Sequence, residues 1–237
     1  MTIVTTLYNC EDYIEKCIGS IIGQQFKDFK CYITDDLSTD KSKEIVELLI
    51  KDDNRFYLIE NDKKLYQPGN YDQVIRNNKL ISDDEVIVEI DGDDWLPTSK
   101  VLGKINEIYQ DKNIWITNGS FKYTNGQLGF SEQQKIDLTL RKVRMTCSHI
   151  RTWRAFLWRK INEKDLKDVN GEYWKVSGDL AFMYPMLEMA GQEHYKFIND
   201  ILYTYNAENP LNDHKVDLSL VNIIADKIRK MKPYDKL

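Results

Sequence analysis

Three aspartates, Asp91, Asp93 and Asp94, stand within four positions of one another in "EIDGDDWLP", directly after the apolar run "EVIVEI". Like charges at such spacing raise one another's proton affinity unless water, hydrogen bonds or a cation relieve them. Hard carboxylate oxygens suit Mg²⁺ or Mn²⁺, and either ion also neutralises a diphosphate. For a charge run taken alone, a solvated turn or the capping of a following helix is the plainer alternative. A calcium loop of EF-hand type starting at Asp91 is excluded, because Leu96 and Leu102 stand where it requires glycine and glutamate. Two more polar sets directly follow strand-like runs: Thr6 to Asn9 in "TIVTTLYN", and Asp35 with Asp36 in "KCYITDD". Ligands of open parallel sheets bind outside the carboxyl ends of the strands, so the three sets point to one shared site. For Asp35 and Asp36 a role in the turn "DDLSTDKS" fits equally well.

The elements that must position these residues alternate along the chain. "TIVTTLYN" is rich in β-branched residues and predicts a strand. Tyr13, Ile14, Cys17, Ile18, Ile21 and Ile22 then recur at helical spacing, with Asn9 and Asp12 placed to cap the helix start. The pattern repeats as the strand "KCYITDD", a helix bearing Ile45, Val46, Leu48 and Leu49, the strand "RFYLIE", a polar loop "NDKKLYQPGN", a helix near Tyr71 to Leu80 and the strand "EVIVEI". Strands and helices in this alternation predict βαβ units and a parallel sheet covered on both faces. Beyond Asp94 the pattern is less regular. "KVLGKINEIYQ", "WRAFLWRKI" and "DLAFMYPMLEMAG" predict helices, the last ending at Gly191, while "IWITNGSFKY" and "HYKFINDILYTY" predict strands. The tail from Val216 to Lys232 is amphipathic with a basic end.

At 237 residues, 42% hydrophobic and 30% charged, the chain can bury a sizeable core, and its net charge of -5 disfavours a nucleic-acid partner. The apolar segment starts almost at Met1 without a charged leader, and no run is long enough to cross a bilayer, so a cytoplasmic protein is expected. Cys10, Cys17, Cys31 and Cys147 form no CxxC pair and are expected as reduced, buried thiols. No GxxxxGK, GxGxxG, GxSxG or HExxH pattern occurs, which leaves ATPase, dinucleotide, serine-hydrolase and metalloprotease readings without motif support.

The run "TTLYNCEDYIEKCIGSIIGQQFKDFKCYITDDLSTDKS", followed by "EIDGDDWLP", resembles the GT-A glycosyltransferases of the family-2 type. The resemblance implies an α/β GT-A fold: a Rossmann-like, mostly parallel sheet with helices on both faces and a less regular C-terminal acceptor-side region. It divides the chain into a nucleotide-sugar-binding half (1–98), an acceptor-binding half (99–215) and a helical tail (216–237). It implies a nucleotide-sugar donor, most often UDP-linked, bound with Mn²⁺ or Mg²⁺, and a glycan, lipid-linked or protein acceptor. Thr6 and Asp36 resemble positions that contact the uridine, with Tyr8 beside them. Asp91 resembles the ribose- or diphosphate-side aspartate, Asp93 the metal-binding one, and Asp94 a helper, a candidate, like Trp153, for acceptor or phosphate contact. Leu7 and Thr5 depart from the usual threonine and proline near the strand end.

In the same way "VSGDLAFMYPMLEMAG" resembles the acceptor-site segment, which places Asp179 as general base; capping of the helix by Asp179 is the alternative. His214 in "YNAENPLNDHK" stands where the family often supplies a further metal ligand, with a solvated loop histidine as the alternative. His149 is a candidate for acceptor or phosphate contact against a structural role, and His194 has none assigned. Trp95, Trp153, Tyr173 and Trp174 offer faces for a sugar ring or are core. Lys63, Lys64 and Arg76 are cations that could meet a diphosphate or are simply solvated. For the tail, packing on the domain is preferred to membrane contact. Two other classes stay open: a nucleotidyltransferase, disfavoured because "TTLYNCED" lacks glycine and a cation, and a non-catalytic binding module, disfavoured by the intact acidic sets.

Overall fold

Side chains alternate across a strand, and in the first strand that alternation sorts the core into two layers. In β1 (Thr2–Leu7), Ile3 and Leu7 enter one apolar cluster and Val4 enters the other. The computed structural model describes residues 1–212 and 215–237. Its seven strands also include β2 (Lys30–Asp35), β3 (Phe56–Glu60), β4 (Val86–Asp91), β5 (Ile116–Tyr123), β6 (Thr152–Arg154) and β7 (Tyr195–Tyr205). They form one sheet in the order β3-β2-β1-β4-β6-β5-β7. The first four are mutually parallel, β6 runs antiparallel to β4 and β5, and β7 is parallel to β5. The expected mostly parallel α/β sheet is what the chain forms, and β4 is its central strand.

One face is covered by α1 (Ile14–Ile22), α2 (Ser42–Ile50) and α4 (Val101–Ile108), which contribute Ile14, Ile18, Ile21, Val46 and Ile105 to the core. The other is covered by α3 (Tyr66–Ile75), α5 (Ala155–Lys160), α6 (Gly178–Ala190) and α7 (Leu218–Arg229). All four cysteines are buried and free, as expected. The tail packs on the domain: Ile224, Ala225 and Ile228 of α7 are buried, and Arg141 joins the Ile228 carbonyl at 2.9 Å while pairing with Glu188 of α6. Among the described residues no helix is long and apolar enough to cross a membrane.

Two local expectations change. Asn9 does not cap α1; its backbone is left-handed (φ 48°) and its side-chain oxygen accepts the Thr39 amide at 2.7 Å. Helix α3 runs from Tyr66 to Ile75 rather than from Tyr71 to Leu80. The reason is remote in sequence: the Asp36 carboxylate accepts the amides of Leu65 and Tyr66 at 2.8 and 2.9 Å, satisfying donors that a helix start leaves open. Pro68 is tolerated because it sits in the first turn.

The start of α3 is wedged against the segment that leads into α6. A side chain at Gly69 would meet the Tyr173 ring at 2.6 Å, and one at Gly178 would meet Pro68 at 2.5 Å. Behind this contact Asp72 accepts from Trp158 (2.9 Å), Arg76 (2.6 Å) and the Tyr173 hydroxyl (3.0 Å), tying α3, α5 and the 173 loop together. Gly178→Ala is therefore expected to overpack this seam and cost about 1–3 kcal/mol. A lower urea midpoint with unchanged slope checks it; a wild-type midpoint contradicts it.

Candidate active site

A cleft of about 420 Å³ opens at the carboxyl ends of β1, β2 and β4. Thr6, Tyr8, Asp36, Asp91, Asp93, His149 and Asp179, named from sequence across 174 positions, all line it. The turn after β4 is tight because Gly92 lies against the end of β1. Its amide bonds the Thr6 carbonyl at 2.9 Å, and a Cβ there would meet that same oxygen at 2.8 Å. The turn then points Asp91 and Asp93 towards the cleft and Asp94 inward.

Asp94 is fully buried, and its carboxylate accepts the Asn206 amide at 2.6 Å. It clamps the turn to the strand end after β7 and is not offered to a ligand, which corrects the expected acceptor or phosphate contact. Trp153 is corrected likewise: it is fully buried among Tyr71, Trp158 and Phe182, where a large aromatic is worth most as core. Trp95 lies outside the cleft with Lys16 over its ring, whereas Trp174 lines it. Arg76 is consumed by Asp72 and by the carbonyl of Ile161. The side chain of His214, expected as a further metal ligand, lies outside the described residues.

At the β2 end, Asp35 accepts the Ser38 amide and so serves its turn. Asp36 has both oxygens engaged, one by Asn61 and Leu65 and the other by Tyr66, with Lys64 3.6 Å away. Lys64 also donates to the Asp36 carbonyl at 2.8 Å and sits over the Tyr8 ring, leaving Tyr8 45% exposed as the wall of this end of the cleft. Asp36 thus builds the wall, with little acceptor capacity left over.

Negative charge accumulates at the β4 end. Burial and then the Asp93 carboxylate raise the proton affinity of Asp91; burial raises that of Asp93, which Asn209 eases by donating at 2.8 Å. Gln67, from the first turn of α3, donates to Glu89 and Asp91 at 3.1 and 3.3 Å. His149 is stacked on Tyr203 and Tyr205, and burial holds it neutral, well below the usual histidine range. Its Nε2 is 4.0 Å from Asp91, and its Nδ1 is buried without a partner among the described residues. Ligand atoms of Glu89, Asp91 and His149 lie within 4.8 Å of one another. Of these three, Asp91 and His149 line the cleft, while Glu89 is fully buried behind them and bonded to Arg151; with Asp93, which also lines the cleft, they offer hard oxygens beside a neutral imidazole, a donor set that fits a divalent cation.

Asp179 lines the same cleft from the first turn of α6. Ser177 enters the helix in the left-handed region (φ 54°), and Asp179 accepts the Leu180 amide at 2.9 Å. Its other oxygen accepts from Arg151 at 3.1 Å, and Arg151 also bonds the buried Glu89 at 2.7 Å. Gln67, Glu89, Arg151 and Asn209 were missed by sequence reasoning. The one signal for Arg151 was a cation set among "SHIRTW", and polar residues in "YQPGN" and "AENPLN" carry none that separates site from loop.

Comparisons with known proteins bear on the family and the fold. Residues 2–169 match the family model described as glycosyl transferase family 2. The GalNAc(5)-diNAcBac-PP-undecaprenol beta-1,3-glucosyltransferase of Campylobacter jejuni is 33% identical over 114 residues, 46% of this chain and 35% of that protein. Glycosyltransferase GlyG of Streptococcus pneumoniae is 24% identical over 248 residues, covering 97% of this chain and 78% of that protein. Among solved structures, S. aureus TarS in complex with UDP-GlcNAc superposes with a TM-score of 0.67 at 16% identity, over 91% of this chain and 60% of that one. The mannosyltransferase PcManGT from Pyrobaculum calidifontis, in complex with GDP-Man and Mn²⁺, gives 0.61 at 15% identity, over 98% and 65%. The chain thus spans about a third of the C. jejuni protein and about three fifths of the TarS chain.

One pH dependence follows from the buried end of the site. Burial pushes Glu89 from the ordinary 4.5 up to about 8, against the pull of Arg151. Between those values the folded chain holds a proton that the unfolded chain releases, so this group's contribution to stability falls as pH rises through that window. Urea denaturation at pH 5.5 and pH 8 is expected to show that loss in wild type and a flatter dependence in Glu89→Gln; equal slopes in the two contradict it.

Proposed function

We propose, on the premise that this chain belongs to glycosyl transferase family 2, that it moves a sugar from a UDP-sugar to an acceptor hydroxyl by a single inverting displacement. The observation that carries this reading is one cleft lined both by Asp91 and Asp93, at the end of β4, and by Asp179, at the start of α6. We read residues 1–98 as the donor half, 99–215 as the acceptor half and 216–237 as the tail.

In this reading the nucleoside lies at the β1 and β2 ends. Tyr8 offers an exposed ring face, Thr6 lines the floor, and Asp36 holds the Leu65–Tyr66 wall in place. Asp91 and Asp93 would hold a cation, Mn²⁺ or Mg²⁺, with His214 as a further ligand, and a cation held there would supply neutralising charge for a departing diphosphate. Asp179 accepts the proton of the acceptor hydroxyl while that oxygen forms a bond to the anomeric carbon and the bond to the diphosphate oxygen breaks. Trp174, Val176 and Val221 also line the cleft and offer apolar surface, which supports placing the acceptor beside them. The C. jejuni relative, named for a diphosphoundecaprenol-linked glycan, supports a lipid-linked acceptor as the first class to try.

The test is a screen of UDP-glucose, UDP-galactose and their N-acetyl relatives with Mn²⁺ or Mg²⁺, reading UDP release by water or by added acceptor. Preference for one donor is expected. Asp93→Ala is expected to abolish metal-dependent UDP binding by calorimetry. Asp179→Asn is expected to keep UDP binding and lower turnover by about 10²- to 10⁴-fold. Unchanged turnover in Asp179→Asn removes the base assignment, and metal-independent UDP binding in wild type removes the cation.

A further inference from the structure

The buried Arg151 has a geometry that a simple charge partner does not need. Its side chain is 5% exposed, against 0% for Glu89 and 33% for Asp179. Two different nitrogens of one guanidinium reach the two carboxylates, NH1 to Glu89 and NH2 to Asp179. One end of the link is therefore sunk in the sheet and the other stands in the cleft. The sunk end is fixed twice, since the Glu89 amide also bonds the Arg151 carbonyl at 3.2 Å across the β4–β6 pairing. Glu89 lies two residues before Asp91 on the same strand and face.

We infer that Arg151 is a positioning residue that fixes the Asp179 carboxylate relative to the strand carrying Asp91, and so sets the gap that acceptor and donor must share. The planar guanidinium is rigid and its nitrogens diverge at fixed angles, so it transmits the position of Glu89 to Asp179. Lysine keeps the charge but is a single flexible ammonium and cannot hold both partners in one geometry. The inference rests on the reading of Asp179 as base. A rival role for Arg151 is direct contact with the diphosphate, since it lines the cleft and its Nε has no partner among the described residues.

A double-mutant cycle on UDP release separates these, using the UDP-sugar that wild type turns over fastest in the screen, with Mn²⁺ and water as acceptor. Arg151→Lys is expected to lower kcat by about 100-fold, the scale of a misplaced reacting group, with donor KM within about twofold. In an Asp179→Asn background the same change is expected to cost nothing further, because it acts through that carboxylate. Multiplicative losses, a donor KM raised about tenfold or more, or wild-type kcat in Arg151→Lys overturn the inference. Should Arg151→Lys fail to fold, Glu89→Gln takes its place in the cycle, with the same non-additivity expected and the same outcomes against it. A readout independent of turnover is the crystal structure of the variant: displacement of the Asp179 carboxylate is expected, and retention of its position overturns the inference. If Asp179→Asn alone turns over like wild type, the base reading fails; if it is impaired but multiplies with Arg151→Lys, the positioning role alone fails.

Discussion

Charge, confined where water is scarce, is the constraint from which the rest of this site follows. Glu89, Asp91 and Asp179 converge near one buried guanidinium, Arg151, whose charged form they stabilise, and Asp93 and Asp94 crowd the same turn. Buried charges are tolerated only when paired or hydrogen-bonded. Each carboxylate here is answered differently: Asp94 by a backbone amide, Asp93 by Asn209, Asp91 by Gln67, Glu89 by the arginine. The deepest groups are thereby committed to structure. Charge that stays uncompensated faces the cleft, where the donor set fits a cation.

That arrangement demands close contacts elsewhere. The acidic turn can approach β1 only because Gly92 has no side chain, and α3 can approach the segment leading into α6 only because Gly69 and Gly178 have none. Asp72 then locks the second of these seams by collecting donors from three elements. The end of β4 and the start of α6 come from distant parts of the chain, and a few positions without side chains decide how near the elements around them stand.

Aspartates of similar appearance in sequence divide by direction. Asp91 and Asp93 face the cleft, while Asp94, next in line, is turned into the protein by the same tight turn. Asp36 is fully engaged by the loop that starts α3, so its contribution to a nucleoside pocket is to shape it. Trp153, attractive as a sugar platform on residue type, is core because three aromatic neighbours enclose it.

From the sequence alone came what short-range chemistry controls: the strand and helix alternation, the two-faced parallel sheet, and polar sets at strand ends that had to share a crevice. These are legible because periodicity and turn propensity act over a few residues, and because strand ends in a parallel sheet gather on one side. The start of α3, the burial of Asp94 and Trp153, and the Arg151 link were decided only by the tertiary structure. Arg151 lies 62 positions from Glu89 and 28 from Asp179. No local pattern encodes such a contact, because burial and hydrogen-bond geometry are properties of the surroundings that distant segments create when they pack.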